Sequence, residues 1–483
     1  MSPLPIAPEP SASARRAEWQ RIALSLLLLK CALLLLDPNL RIFMGDSGSY
    51  LHGALTEWIP PDRSFTYPWL VYVSAVFAQS AFALVLLQSL FGVCTALLLF
   101  WMLRRGAQLP FAWAAAPALL LAVEPAQLFY ERMLMAEAAG LLALMGCVAS
   151  VLAYVRSGQL RWAVLLVLAG LVAVSMRMSA LPVVLGMTAL APVLRAHARH
   201  SIEDPGRPLL AVLRLGLHLF LVLAMTVAAH AAYKHAYGAL TEGKPEYMRE
   251  QGRMRLGLVA PLVKPEHLQR FGLPAELLNQ LGHPLIDHRT RELQIWSNQG
   301  LWAQIRDAQP PAGADAVAGK IAVRALQGDP LGLFRMGGAT LLDYFDSPLA
   351  LARLRNDAGD VAPNPGMIRD LRTHLRYDAS DLYARPGVVA QVFLGSRWWL
   401  TAVLFALAPL ALAVMWRYRQ PGQARSAAWV IGFAGLGLFA SHLLFSHIVS
   451  FRYLHPMPAF VLASLALLLA PRRAASPRSS DVA

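Results

Sequence analysis

Residues 81–103 read AFALVLLQSLFGVCTALLLFWML, twenty-three positions without an acid, a lysine or an arginine, closed at once by Arg104-Arg105. At 1.5 Å per residue such a run makes a helix of about 34 Å, enough to cross a hydrocarbon layer of roughly 30 Å. The pattern repeats outward from it. Apolar runs near 22–36, 111–124, 133–155, 161–175, 178–194, 213–232, 397–416, 427–448 and 456–470 bring the expected crossings to ten. The whole chain of 483 residues is 57% hydrophobic and 15% charged, with a mean hydropathy of +0.46, which excludes a disordered, collagen-like or ordinary soluble protein. The fold expected is an all-α polytopic membrane protein. Cys31, Cys94 and Cys147 all fall inside apolar runs, so neither a disulfide framework nor a thiolate metal site is expected.

The net charge of +14 marks a side of the bilayer, not a nucleic-acid partner. With the N-terminus inside, seventeen arginines fall in inner segments and five in short outer ones: Arg41, Arg63, Arg132, Arg177 and Arg452. That asymmetry orients insertion and puts both termini in the cytoplasm. Two places test the parity. Residues 161–194, broken by Ser175, Arg177 and Ser179, are read as a tight hairpin, because a single span would leave Arg195, Arg199, Arg207 and Arg214 outside. Residues 67–103 are read as one crossing preceded by an interfacial helix, Pro68–Gln79, which keeps Arg104 and Arg105 inside.

The expected organisation follows. A disordered cytoplasmic N-terminus covers 1–20. A transmembrane module at 21–232 holds about seven spans, with interfacial helices over 46–79. A mostly helical extracytoplasmic domain covers 233–391, three spans cover 392–470, and a cytoplasmic tail covers 471–483. The domain carries 19 basic and 17 acidic residues and amphipathic stretches at Ala314–Gln327 and Leu331–Phe345, the second expected to lie on the membrane. It has no nucleotide-binding glycine loop, Walker motif or zinc spacing.

Twelve acids lie outside that domain, and seven of them, Asp37, Asp46, Glu57, Asp62, Glu124, Glu131 and Glu137, map to the outer ends of the first four spans. Carboxylates at a membrane edge serve as a general base or metal ligands when they converge, and as solvated caps when they do not. Asp46, between Gly45 and Ser47-Gly48, opens an amphipathic stretch and could equally N-cap it. Arg63 and Tyr67 bring a guanidinium and a phenol to the same interface, where charge-assisted hydrogen bonds to a lipid phosphate or plain snorkelling are both open. Arg177 interrupts an apolar hairpin, a costly place for a cation, with Glu124 or Glu131 as its structural partner in the bland reading. Lys30 lies inside the first span, as a functional charge or a packed one.

The order Gly45-Asp46, Tyr50, Tyr67-Pro68, Glu131 through Glu137, Arg177 through Pro182, and Phe451-Arg452-Tyr453-Leu454-His455-Pro456 resembles the GT-C superfamily of integral membrane glycosyltransferases, which includes protein O-mannosyltransferases and bacterial aminoarabinose and lipopolysaccharide-core transferases. The resemblance covers residues 20–230 and the last two spans. It implies an inverting transfer of a sugar from a polyprenyl-phosphate carrier to an extracytoplasmic acceptor. Asp46 matches the family's first acid, and Glu137 or Glu131 the second. Arg63, Arg177, Arg452, Tyr453 and Tyr67 are then the groups for the donor phosphate. Where many relatives carry a paired acid, Ser47-Gly48 follows Asp46, so a divalent metal on Asp46 and Glu137 stays an open cofactor question. The expected partners are the polyprenyl-phosphate sugar, the acceptor and membrane lipids, with no nucleic acid. The expected location is a bacterial inner membrane with the site on the periplasmic side.

Two other classes compete. A transporter or lipid flippase would show internal repeats and polar groups near the midplane, and no repeat is evident. An oligosaccharide polymerase or ligase would carry mainly basic outer loops, whereas acids dominate the short ones here. His442 and His447, five residues apart, do not share a helix face, His455 precedes a proline, and all three read as structural. Trp398 and Trp399 read as an aromatic belt.

Overall fold

The computed structural model describes residues 11–43, 45–200, 208–359, 361–384, 386–420, 422 and 424–471. Of the two expected flexible ends, residues 1–10 and 472–483 lie outside the described residues, while the rest of the first, from Ala12 on, is helical, so the expected boundary at residue 20 falls inside the first helix. Among the described residues the fold is all-helical; one isolated β-bridge, Arg41 to Met133, is the only extended pairing.

Eight helices are long and apolar enough to cross a membrane: Ala12–Leu36, Ala81–Gly106, Glu137–Ser157, Met178–Ala198, Leu209–Leu240, Arg397–Arg417, Arg425–Phe445 and Phe451–Leu469. Two more apolar helices, Phe111–Ala122 and Leu160–Met176, reach only about 18 and 26 Å at 1.5 Å per residue. Each of the ten apolar runs contains a helix, but by length eight qualify as crossings. The shortest is stopped where Glu124 turns its carboxylate onto the Gln127 N–H and Pro125 opens a new helix, Pro125–Tyr130. The other ends at Arg177, which is extended (φ −143°, ψ 108°) and separates it from Leu181–His200.

Lipid exposure explains the helix surfaces. In Ala12–Leu36 the buried positions Ile22, Leu26, Lys30 and Leu34 recur every fourth residue, while Leu24, Leu28 and Leu35 face outward. An outward leucine face suits hydrocarbon and not water, and this is an integral membrane protein. Glu137–Ser157 is the buried centre, packed on Ala81–Trp101, Leu160–Met176 and Leu181–His200. Small residues let the backbones close up: at Gly170 a Cβ would lie 2.6 Å from Val184 Cγ1.

The stretch after the first span carries Ser47–Thr56 and then Thr66–Val71, which runs on as a π-turn, Tyr72–Val76; Trp69, Tyr72, Val73 and Phe77 face outward. The helix Pro208–Leu240 continues past residue 232, so the expected domain boundary falls within it. The inserted segment that follows has its own apolar core, in which Leu256, Ile295, Leu301, Ile305 and Ile321 are buried. Its amphipathic stretches form Pro311–Gly328 and Pro330–Leu342, and Leu331, Phe334 and Leu342 are exposed along the second, with Phe345 exposed in the turn just after it. A separate apolar cavity of about 570 Å³ is lined by Trp19, Cys94, Trp101, Gly146 and Trp162.

Candidate functional site

The bridge at Arg41 decides where Asp46 goes. Arg41 N–H donates to the Arg132 carbonyl at 2.7 Å, and Leu134 N–H donates to the Arg41 carbonyl at 2.9 Å. Ser47 Oγ accepts the Phe43 N–H at 2.9 Å and donates to the Leu134 carbonyl at 2.8 Å. The loop behind the first span is thereby stitched to the turn that precedes Glu137. Arg132 seals the joint: it is buried, and its guanidinium donates to the carbonyls of Leu33, Asp37 and Leu128. This satisfies carbonyls that a helix end otherwise leaves open.

Around this joint four distant stretches converge. Asp46 Oδ1 lies 2.9 Å from Arg63 Nη1, and Asp46 Oδ2 accepts from Arg452 Nη1 at 2.7 Å. Glu137 Oε1 accepts from Arg177 Nη1 at 2.9 Å and lies 3.5 Å from Arg452 Nε. Arg452 therefore bridges both acids. Gly140, one turn after Glu137, makes room for the cation, since a Cβ there would lie 3.2 Å from Arg177 Cγ. The Tyr453 ring stands beside Arg177 and Arg452, at 5.8 and 5.3 Å from their guanidinium carbons, and Tyr50 lies 5.2 Å from that of Arg63.

Asp46 heads the Ser47–Thr56 helix but makes no side-chain capping bond; its carboxylate is turned to the arginines instead. Burial pushes that carboxyl up, and the Arg452 and Arg63 guanidiniums outweigh the push and hold it at about 2. Two donors are left over. Arg63 Nη1, close to Asp46 by distance, and Arg452 Nε are buried without an aligned hydrogen-bond acceptor among the described residues. Such orphan N–H groups are costly, ~1–3 kcal/mol each, unless a ligand or solvent takes them. The side chains of Asp46, Arg63, Arg177 and Arg452 keep 13–18% of their surface exposed, so the cluster is open at its rim.

Other expected site residues stand elsewhere. Glu131 is fully buried and pairs with Lys30, whose Nζ lies 2.7 Å from both carboxylate oxygens and donates to the Ala122 carbonyl at 2.7 Å. It is not part of the cluster and does not partner Arg177; six residues separate it from Glu137, and the turn at 131–136 points the two acids into different surroundings. Glu124 does not partner Arg177 either, for Trp399 Nε1 donates to it at 3.0 Å. Tyr67 is buried, with its hydroxyl donating to Gln88 Oε1 at 2.9 Å and its ring 4.7 Å from Tyr50, so it supports the site from behind. Gln127 donates to Glu131 and accepts from His455 Nε2 at 2.9 Å, which fixes the His455 tautomer with its N–H on Nε2.

One acid escaped sequence reasoning. Asp357, buried in the inserted segment, accepts from the Arg452 backbone N–H at 3.1 Å and faces the same guanidinium. Nothing distinguishes it among the 17 acids of that segment. As for a metal, no group of three or more His, Cys, Asp or Glu side chains converges among the described residues. Three guanidiniums already face the two carboxylates of the cluster, a donor set that does not fit a divalent cation. The arrangement suits an anion with several oxygens, which guanidiniums bind in charge-assisted pairs. The chain matches no family model, no curated protein and no solved structure.

Proposed function

We propose that this chain is an inverting glycosyltransferase that moves a sugar from a polyprenyl-phosphate donor to an acceptor hydroxyl on the extracytoplasmic side of the membrane, within a GT-C-like fold of ten spans. The observation that carries the reading is the meeting of Asp46, Arg63, Glu137, Arg177 and Arg452 in one open cluster. The positive-inside bias supports an extracytoplasmic position for it, with both termini cytoplasmic, and the Ala-, Leu- and Arg-rich composition favours a bacterial inner membrane.

The chemistry asks little covalent work of the protein. The acceptor oxygen attacks the anomeric carbon, the bond from that carbon to the phosphate oxygen breaks, and the acceptor proton passes to Asp46. The polyprenyl phosphate leaves as the anion. Arg63, Arg177 and Arg452 are placed to neutralise the charge that develops on it, the largest contribution expected in such a site. A carboxyl held at about 2 is a poor base. When a phosphate takes over the Arg63 and Arg452 donors, Asp46 loses the contacts that depress it while burial, which raises it, remains. Base strength then rises as the donor arrives, and free enzyme stays neutralised. Glu137 keeps Arg177 and Arg452 aimed at the phosphate.

Radiolabelled sugar transfer in membranes, comparing wild type with Asp46→Asn and Glu137→Gln at matched expression, tests this. Loss of ~10² to 10⁴-fold in Asp46→Asn is expected for removal of a base. Unchanged transfer in that variant removes Asp46 from the role, and a wild type that transfers no lipid-linked sugar ends the reading.

A further inference from the structure

The turn that presents Arg452 is held from outside the membrane helices. Asp357, at the end of the Ser347–Asp357 helix, accepts from Ser450 Oγ at 3.2 and 3.0 Å and from the Arg452 N–H at 3.1 Å. Ser450 has both of its backbone groups on one phenol: its N–H donates to Tyr344 Oη at 3.1 Å, and Tyr344 Oη donates to its carbonyl at 2.9 Å. Arg291 of the same segment reaches the Ser446 carbonyl at 3.3 Å. The 3₁₀ turn Phe451–Leu454 contributes weaker bonds of its own, such as Tyr453 N–H to the Ser450 carbonyl at 3.3 Å.

The same segment also grips the other half of the cluster. Tyr377 Oη donates to the Leu40 carbonyl at 2.7 Å, Tyr383 Oη donates to the Ile42 carbonyl, Arg41 Nη1 donates to the Leu382 carbonyl at 3.2 Å, and the Val389 N–H donates to Asp37 Oδ2 at 3.1 Å. The two loops it holds carry Asp46 and Arg452, 406 residues apart in the chain. A carboxylate on the Arg452 backbone N–H and a phenol on Ser450 hold the backbone from which the guanidinium projects, without occupying the guanidinium itself.

We infer that Asp357, seconded by Tyr344, is a positioning residue that sets the Arg452 guanidinium for an incoming phosphate, so that the inserted segment controls donor binding through the backbone at 450–452. The inference rests on the phosphate reading of the cluster. It goes beyond that reading by giving the inserted segment a part in donor recognition.

The test uses the full chain in detergent or nanodiscs and a short-chain polyprenyl monophosphate as the probe. Asp357→Ala removes the acceptor and is expected to weaken probe binding about tenfold, the order of one lost hydrogen bond to a charged group. Asp357→Asn keeps an oxygen for Ser450 and Arg452 and is expected to restore affinity to within about threefold. Coupling decides whether the effect runs through Arg452. In an Arg452→Ala background the cost of Asp357→Ala should shrink to under about threefold, and in an Arg177→Ala background it should persist. An equal loss in both backgrounds, or no loss at all, overturns the inference. Should Asp357→Ala fail to fold, Tyr344→Phe, which frees the same turn by removing one oxygen, takes its place with the same expectations.

If wild type does not bind the probe, the phosphate reading falls, and the positioning claim is judged by backbone amide exchange. Faster exchange at Ser450 to Tyr453 in Asp357→Ala, with Glu137–Ser157 unchanged, upholds it. Unchanged exchange at Ser450 to Tyr453 overturns it.

Discussion

Two sets of buried charges lie six residues apart on one turn of chain and behave differently. Lys30 and Glu131 form a closed pair: side chains 4% and 0% exposed, the ammonium on both carboxylate oxygens and a carbonyl, the carboxylate also taking the Gln127 amide. The cluster of Asp46, Glu137 and three arginines is open, with two carboxylates, three forks and orphan N–H groups. A closed pair has nothing left to offer a ligand and serves the fold. An excess of oriented donors at an accessible rim can serve an anion. Stoichiometry and satisfaction, not burial alone, separate the two.

The largest expected effect breaks the closed pair. Lys30→Met leaves Glu131 buried and uncompensated and should destabilise the protein by ~3–5 kcal/mol, read from folded yield and thermal unfolding in detergent, while Lys30→Met with Glu131→Leu recovers most of it. Failure of the double variant to recover would make the pair functional rather than structural. Next comes the converse for the open cluster. Glu137→Gln should lower sugar transfer by about 10²-fold through misplacement of Arg177 and Arg452. Its Tm should fall less than that of Lys30→Met, because the neutral amide still offers Arg177 an oxygen and the Arg177 side chain keeps 13% of its surface exposed, although Glu137 itself is buried.

A smaller effect sharpens the contrast within the open site by pH. Burial pushes Asp357 up to about 6, above the ~3.9 of an unfolded Asp, although Arg452 opposes it. Between pH 4 and 6 the folded state therefore binds the extra proton, and stability from this group is full below pH 4 and lost as pH rises through 6. Asp46, held at about 2, has the opposite sign: its contribution is present above pH 4 and lost as pH falls toward 2. Thermal scans should show a steeper fall between pH 4 and 6 in wild type than in Asp357→Asn; parallel curves would refute the assignment. The smallest change is Trp399→Phe, which removes the indole donor from Glu124 and should cost ~1 kcal/mol in thermal unfolding without altering transfer.

Several site residues stand out in the sequence, because Glu137, Arg177, Arg452 and Tyr453 lie within a few residues of the ends of apolar runs and Asp46 and Arg63 lie in the stretch that joins two of them, where charges contrast with apolar surroundings. Their meeting does not. Glu131 and Glu137 look alike in sequence, yet the first faces Lys30 and the second Arg177, because the turn between them is not helical and carries no readable phase. Tyr67 looked like a phosphate ligand and instead steadies Gln88. Asp357 had no signal at all, being one acid in a segment where charges are common.

Run length and the spacing of buried against outward leucines determine the helices locally, since a hydrocarbon layer demands about twenty apolar residues and closes every backbone hydrogen bond within the helix. Which charge neutralises which was decided only in three dimensions. Ion pairs across 40 to 406 residues depend on how loops are stitched together, as at the Arg41 bridge and the Asp357 clamp, and no local pattern encodes a contact between segments so far apart in the chain.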